Sequence, residues 1–127
     1  SSITQRAAIS ALRKKPDFTK KMNIEFMKRR DMAVKMLEKI PNIKFNIPQG
    51  AFYIFIDFSS YLNTKYKSFK IKSNDDLSMY LLNNAEVATV SGSAFGNKEC
   101  IRISIASSKK DIKEALNRIK NVLKKLT

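Results

Sequence analysis

The sequence contains no histidine, no tryptophan and a single cysteine in 127 residues. Without imidazole, and with one thiol, the usual ligand sets for structural or catalytic zinc cannot be assembled, so no metal site is expected. A Ser-His-Asp or Cys-His nucleophilic arrangement is excluded for the same reason. Cys100 has no intramolecular disulfide partner, which fits a reducing, cytoplasmic location. No apolar run reaches the length of a membrane span, and no membrane partner is expected. The opening Ser1-Ser2-Ile3-Thr4-Gln5 has neither the basic start nor the apolar stretch of a signal peptide. It also lacks an initiator methionine, so the sequence is expected to be a piece of a longer one.

Acidic residues are scarce too: 11 against 25 lysines and arginines, a formal charge of +14. The excess is uneven, at +7 over residues 1–41, +2 over 42–106 and +5 over 107–127. It falls mostly on lysines in the two terminal helical regions, with acids interspersed. Such a distribution reads first as a solvated surface. A phosphate-binding face is the sharper alternative, but the sequence has neither aromatic-studded strands nor a recognition motif to support it, and no nucleic-acid partner is expected.

What is present suits a folded domain: 43% hydrophobic residues, with eight Phe and four Tyr. There is no internal repeat and no Gly/Pro-rich linker. Ile3 to Leu12 reads as a helix ending near Lys14-Lys15, before Pro16. A longer helix is expected from Asp17 to Ile40, with Phe18, Met22, Phe26, Ala33, Leu37 and Ile40 at helical spacing. Ile43 to Asn46 is a short strand candidate. After the turn Ile47-Pro48-Gln49-Gly50, the apolar run Ala51–Ile56 reads as a strand covered on both faces. Residues 59–73 read as a polar loop and the most mobile segment. Ser73-Asn74-Asp75-Asp76 offers a capping box for a helix through Leu82. Val87–Val90 reads as a short strand, Ser91–Gly96 as a small-residue loop, and Cys100–Ala106 as a further strand. Ser108-Lys109-Lys110-Asp111 caps a last helix, whose stripe is Ile112, Ala115, Leu116, Ile119, Val122, Leu123 and Leu126. The fold class is α+β, a small and mostly antiparallel sheet flanked by helices.

Alternation along Cys100–Ala106 puts Ile101, Ile103 and Ile105 on one face. The other face is small residues around Arg102. A guanidinium there is costly to bury unless something anionic meets it. Two partners are open: a local carboxylate such as Asp57 or Glu99, or a ligand carboxylate gripped bidentately. Gly92-Ser93-Ala94-Phe95-Gly96 permits close backbone approach. It has neither the Walker spacing nor G-x-G-x-x-G, so it is not a phosphate loop.

Taken in order, these segments resemble a family. Pro48-Gln49-Gly50-Ala51-Phe52-Tyr53, Val87–Gly96 and Ile101–Ala106 are similar to the P-x-G-A-F-Y, V-A-x-x-P-G-S-x-F-G and [IV]-R-[IL]-S-x-A blocks of class I aminotransferases. Ser1-Ser2-Ile3-Thr4-Gln5 with Ala7-Ala8, and Arg29-Arg30-Asp31, resemble two further blocks. The likeness covers essentially the whole sequence, and it is the ordered set rather than any one block that is specific. It implies the C-terminal small domain of a pyridoxal-phosphate-dependent enzyme of the aspartate aminotransferase type, with residues 1–41 leading to a large domain outside this sequence. The resemblance further implies transfer of an amino group from an amino acid, aspartate or glutamate, to a 2-oxo acid, with aromatic or alanine types as alternatives. It assigns Arg102 to the substrate α-carboxylate and makes Gly50 and Phe52 secondary active-site lining. A homodimer is implied for the full-length protein. Ser91 departs from the family's frequent Pro and is expected to loosen its loop slightly.

The family's Schiff-base lysine lies in an S-x-x-K context that these residues lack, and none of the lysines here matches it. No catalytic residue is therefore expected in this sequence, and the 127 residues alone are expected to be inactive. Two further readings remain: a basic nucleic-acid-associated domain, from the charge, and a free-standing interaction domain, from the amphipathic stretch 17–40.

Overall fold

A computed structural model describes residues 1–14 and 17–127; the turn expected at Lys15-Pro16 lies outside the described residues. Twelve residues, Ser2–Arg13, form helix α1, and none of them is buried. Helix α2 runs from Asp17 to Leu37. It stops three residues earlier than the apolar spacing predicts. Its end tightens through i→i−3 bonds from the amides of Lys39 and Ile40 to the carbonyls of Met36 and Leu37. Asn42 then takes a left-handed φ of 59°. The expected apolar stripe divides: Ala33, Leu37 and Ile40 are buried, whereas Phe18 is 72% exposed.

Four strands form one antiparallel sheet in the order β1-β2-β6-β5: Lys44–Phe45, Tyr53–Asp57, Cys100–Ser104 and Val90–Ser91. A separate hairpin pairs β3 (Lys65–Tyr66) with β4 (Phe69–Lys70). The segment expected as a mobile loop thus contains this hairpin and a 3-10 turn at Ser59–Tyr61, and it buries Tyr61 and Ile71. Thr127 and Lys65 exchange backbone hydrogen bonds, and the Tyr61 hydroxyl donates to the carbonyl of Pro41. Polar composition concealed these anchors, because the apolar side chains that pack on the core, Tyr61, Leu62, Tyr66 and Ile71, are spread among polar neighbours. The strand expected at Val87–Val90 pairs only from Val90, since the preceding residues leave the ladder.

Helix α3, Asn74–Ala85, begins with the expected capping box. Ser73 Oγ accepts from the Asp76 amide, and Asp76 accepts from the Ser73 amide. Helix α4, Lys109–Leu123, starts where Ser108 Oγ accepts from the Asp111 amide. Its apolar stripe, with the C-terminal half of α2 and with α3, packs on Ile54, Ile56, Ile101 and Ile103 of the sheet. The Tyr80 hydroxyl donates to the carbonyl of Val122, tying α3 to α4.

The opposite sheet face stays open, contrary to the expectation for β2. Burial alternates along Tyr53–Asp57, and Phe55 is 37% exposed. An apolar run cannot by itself distinguish a strand buried on two faces from one that turns aromatic side chains outward.

Candidate functional site

The open face follows from register. Phe55 on β2 lies directly opposite Arg102 on β6, and Arg102 lies opposite Val90 on β5. Tyr53 pairs with Ser104 one step along the same face. Side chains at i and i+2 share a face, so Tyr53, Phe55, Val90 and Arg102 gather there while the isoleucines point inward. The 3-10 turn Gly92–Phe95, which follows β5, brings Phe95 over the same patch. Its ring meets Phe55 edge-on at 6.2 Å.

Arg102 is half-buried on this face, and its guanidinium carbon lies 4.1 Å from the Tyr53 ring centroid and 4.2 Å from that of Phe95. Of the two partners left open by the sequence, the local ion pair is not formed: among the described residues no carboxylate is paired with Arg102. Asp57 instead accepts from the Ser59 amide at 2.7 Å. That bond, with Lys44 nearby, holds its carboxyl below its usual range against the opposing effect of burial. Burial pushes the Cys100 thiol up, and the neighbouring carboxylates of Asp57 and Glu99 push it the same way.

Phe52 and Gly50 lie to one side of Arg102. The Phe52 ring stacks against Tyr53 at 4.3 Å and approaches Phe26 of α2 at 6.2 Å. Gly50 and Phe52 line an open cleft of about 420 Å³ between α2 and the turn before β2, together with Phe26, Met27 and Arg30. The fold therefore joins these two candidates in one cleft, and Tyr53 stands between that cleft and Arg102. Gly50 is not there for its φ; the left-handed residue of this turn is Ala51, at 59°.

The Arg29-Arg30-Asp31 segment fastens α2 to both ends of the site. Arg29 donates to the carbonyl of Ala106, just past β6, and ion-pairs with Glu25. Arg30 donates to the carbonyl of Pro48 and pairs with Asp31. Ser91 takes a backbone conformation that the family's proline would also adopt. Its φ of −56° is what a proline would impose, and its Oγ accepts from the Ser93 amide at 3.3 Å. Among the described residues no cluster of metal-ligating side chains occurs, and no helix is long and apolar enough to cross a membrane.

Tyr53 and Phe95 were not singled out from the sequence. Both stand in the quoted blocks, but only the β2–β6 register and the turn after β5 set their rings against Arg102. A one-sided strand pattern with aromatics facing an arginine was the available signal.

The chain is 42% identical over 127 residues to the bifunctional aspartate aminotransferase and glutamate/aspartate-prephenate aminotransferase of Petunia hybrida, covering 97% of this chain and 26% of that protein. It is 45% identical over 120 residues to a probable aspartate/prephenate aminotransferase of Rickettsia typhi, covering 94% and 30%. The crystal structure of the aspartate aminotransferase from Rhizobium meliloti superposes on all of this chain and 32% of that one, with a TM-score of 0.92 at 41% identity. The chain thus spans between about a quarter and a third of the length of these relatives. Residues 1–119 match the family described as aminotransferase class I and II, and the chain belongs to that family.

Proposed function

We propose that this chain is the small domain of an aspartate-type aminotransferase and that Arg102 grips the α-carboxylate of the amino-acid and 2-oxo-acid substrates. The observation that carries this reading is a guanidinium on an open sheet face, braced by two rings and without a carboxylate partner among the described residues. A planar fork of N–H donors left unpaired there matches a carboxylate bidentately, and a lysine ammonium does not. Binding both substrates through one shared group orients their variable ends consistently, which is how a positioning residue contributes to rate.

Pyridoxal phosphate is the cofactor the family implies, and it supplies the electron sink for the chemistry at the α-carbon. The 127 residues do not by themselves fit it. The cleft beside Phe52 is open, and its one cation, Arg30, is already engaged by Asp31 and the carbonyl of Pro48. The cofactor, its lysine and the residues that activate it belong, in this reading, to the portion of the protein that the relatives have and these residues do not span. That portion would also cover the open face bearing Phe55 and Phe95, and its approach would exclude water from the Arg102 site. A cytoplasmic homodimer is part of the same reading.

Sequencing upstream of Ser1 is the first test: an open frame encoding an S-x-x-K segment is expected, and a stop codon there overturns the proposal. In the full-length protein, Arg102→Lys is expected to lower kcat/KM by about 100-fold for aspartate and for monocarboxylic amino acids alike, because the charge is kept but the bidentate fork and its reach are lost. Unchanged kcat/KM would refute the grip. The 127-residue chain supplied with pyridoxal phosphate is expected to show no transamination.

A further inference from the structure

Two rings lie against the Arg102 guanidinium, with its central carbon 4.1 Å from the Tyr53 centroid and 4.2 Å from that of Phe95. Each ring presents a negative π-face to a cation well inside the range of about 6 Å at which such attraction acts. The arginine side chain is long and flexible, and ordering it only when a ligand arrives would cost conformational entropy on every binding event. Two rings in contact with the guanidinium remove much of that freedom in advance. A π-face attracts the cation without using up its N–H donors, and no carboxylate among the described residues is paired with them.

The rings are held by different means. Tyr53 sits in the sheet, backed by Phe52 at 4.3 Å. Phe95 ends a short turn anchored from below by buried Asn74. Ser93 Oγ donates to Asn74 Oδ1 at 2.9 Å, and Asn74 Nδ2 donates to the carbonyls of Cys100 and Asn97. The turn presses close at Gly92, where a Cβ would stand 2.4 Å from the Cys100 oxygen.

We propose that Phe95 and Tyr53 are positioning residues for carboxylate binding: they hold the guanidinium of Arg102 preorganised. The proposal rests on the reading of Arg102 as the carboxylate grip, and its test separates the two. In the full-length enzyme, Phe95→Leu removes the π-face while keeping an apolar side chain, and Phe95→Tyr restores a ring. Because Phe95 is 49% exposed, neither change opens the core. Phe95→Leu is expected to raise KM for both the amino acid and the 2-oxo acid by about tenfold, ~1.4 kcal/mol, with kcat within about twofold. Phe95→Tyr should stay within about twofold of the parent. Tyr53→Leu should shift KM in the same direction as Phe95→Leu. In an Arg102→Lys background the Phe95→Leu effect should vanish, since Phe95 acts through the guanidinium. An unchanged KM in Phe95→Leu, or a penalty that persists at full size in Arg102→Lys, overturns the positioning role. If Arg102→Lys alone is silent, the grip itself fails. If Arg102→Lys is impaired and Phe95→Leu is silent, the positioning role alone fails.

Discussion

The side-chain amide of buried Asn74 donates to the carbonyl of Cys100 at 2.9 Å, joining the first residue of α3 to the first residue of β6. Among the described residues Asn74 is the buried polar one, with 1% of its surface exposed. Its side chain makes three hydrogen bonds, all to the segment between Ser93 and Cys100. A buried amide so engaged fixes the path of the chain into the strand that carries Arg102.

Asn74→Ala is therefore expected to cost about 2–3 kcal/mol, because it strands the Cys100 carbonyl in the interior and not because it removes apolar contact. Urea denaturation checks this, and a loss under about 0.5 kcal/mol would contradict the role given to Asn74.

Two glycines of the resembling blocks should respond in opposite ways. Gly92→Ala drives a Cβ to 2.4 Å from the Cys100 oxygen and 2.5 Å from that of Asn97, both backbone atoms that cannot swing aside. A destabilisation of about 1–3 kcal/mol is expected, as for other overpacked sites. Gly50→Ala meets nothing within 4 Å, and its φ is not in the left-handed region. Its stability should stay within about 0.5 kcal/mol of the parent. Equal melting shifts in the two variants would show that the close approach at Gly92 is not what the chain requires.

Asp57 sets a pH dependence with a definite sign. The Ser59 amide holds its folded pKa below the ordinary value of 3.8. The stabilisation is complete above that value and is lost as pH falls through the lower folded pKa. Asp57→Ala should cost about 1 kcal/mol at neutral pH, a figure discounted for solvent screening. The difference between parent and variant should shrink below about pH 3.8 and not above it. A difference that instead grew as pH fell would reverse the assignment.

Much of the architecture was legible because its determinants are local. Ser73 and Ser108 cap helices in the sequence context that signals a cap. Alternating isoleucines put the inner face of β6 in the core, with Ile101 at 0% exposure. The stripe of α4 is buried as spaced. The misreadings arose where a partner had to be known. The N-terminal half of α2 is apolar at helical spacing, yet Phe18 has no described element to cover it. The apolar run at Ala51–Ile56 looked doubly buried because aromatic side chains count as apolar on whichever face they lie. The hairpin at residues 65–70 looked like loop because what anchors it, Tyr66 against Tyr80 and the bond from Lys65 to Thr127, depends on partners distant in the chain.

By itself, the sequence determined the family, the helix caps and the placement of Arg102 on a face of small residues, because ordered blocks and residue alternation are properties of neighbours along the chain. Only the tertiary structure decided what meets that guanidinium. Asp57 is drawn to the Ser59 amide, and no local carboxylate pairs with Arg102. The β2–β6 register and the turn pinned by Asn74 bring two aromatic rings there from distant and intervening segments. Pairing and register are set by the burial of the opposite sheet face, so the surroundings of Arg102 follow from how the core packs.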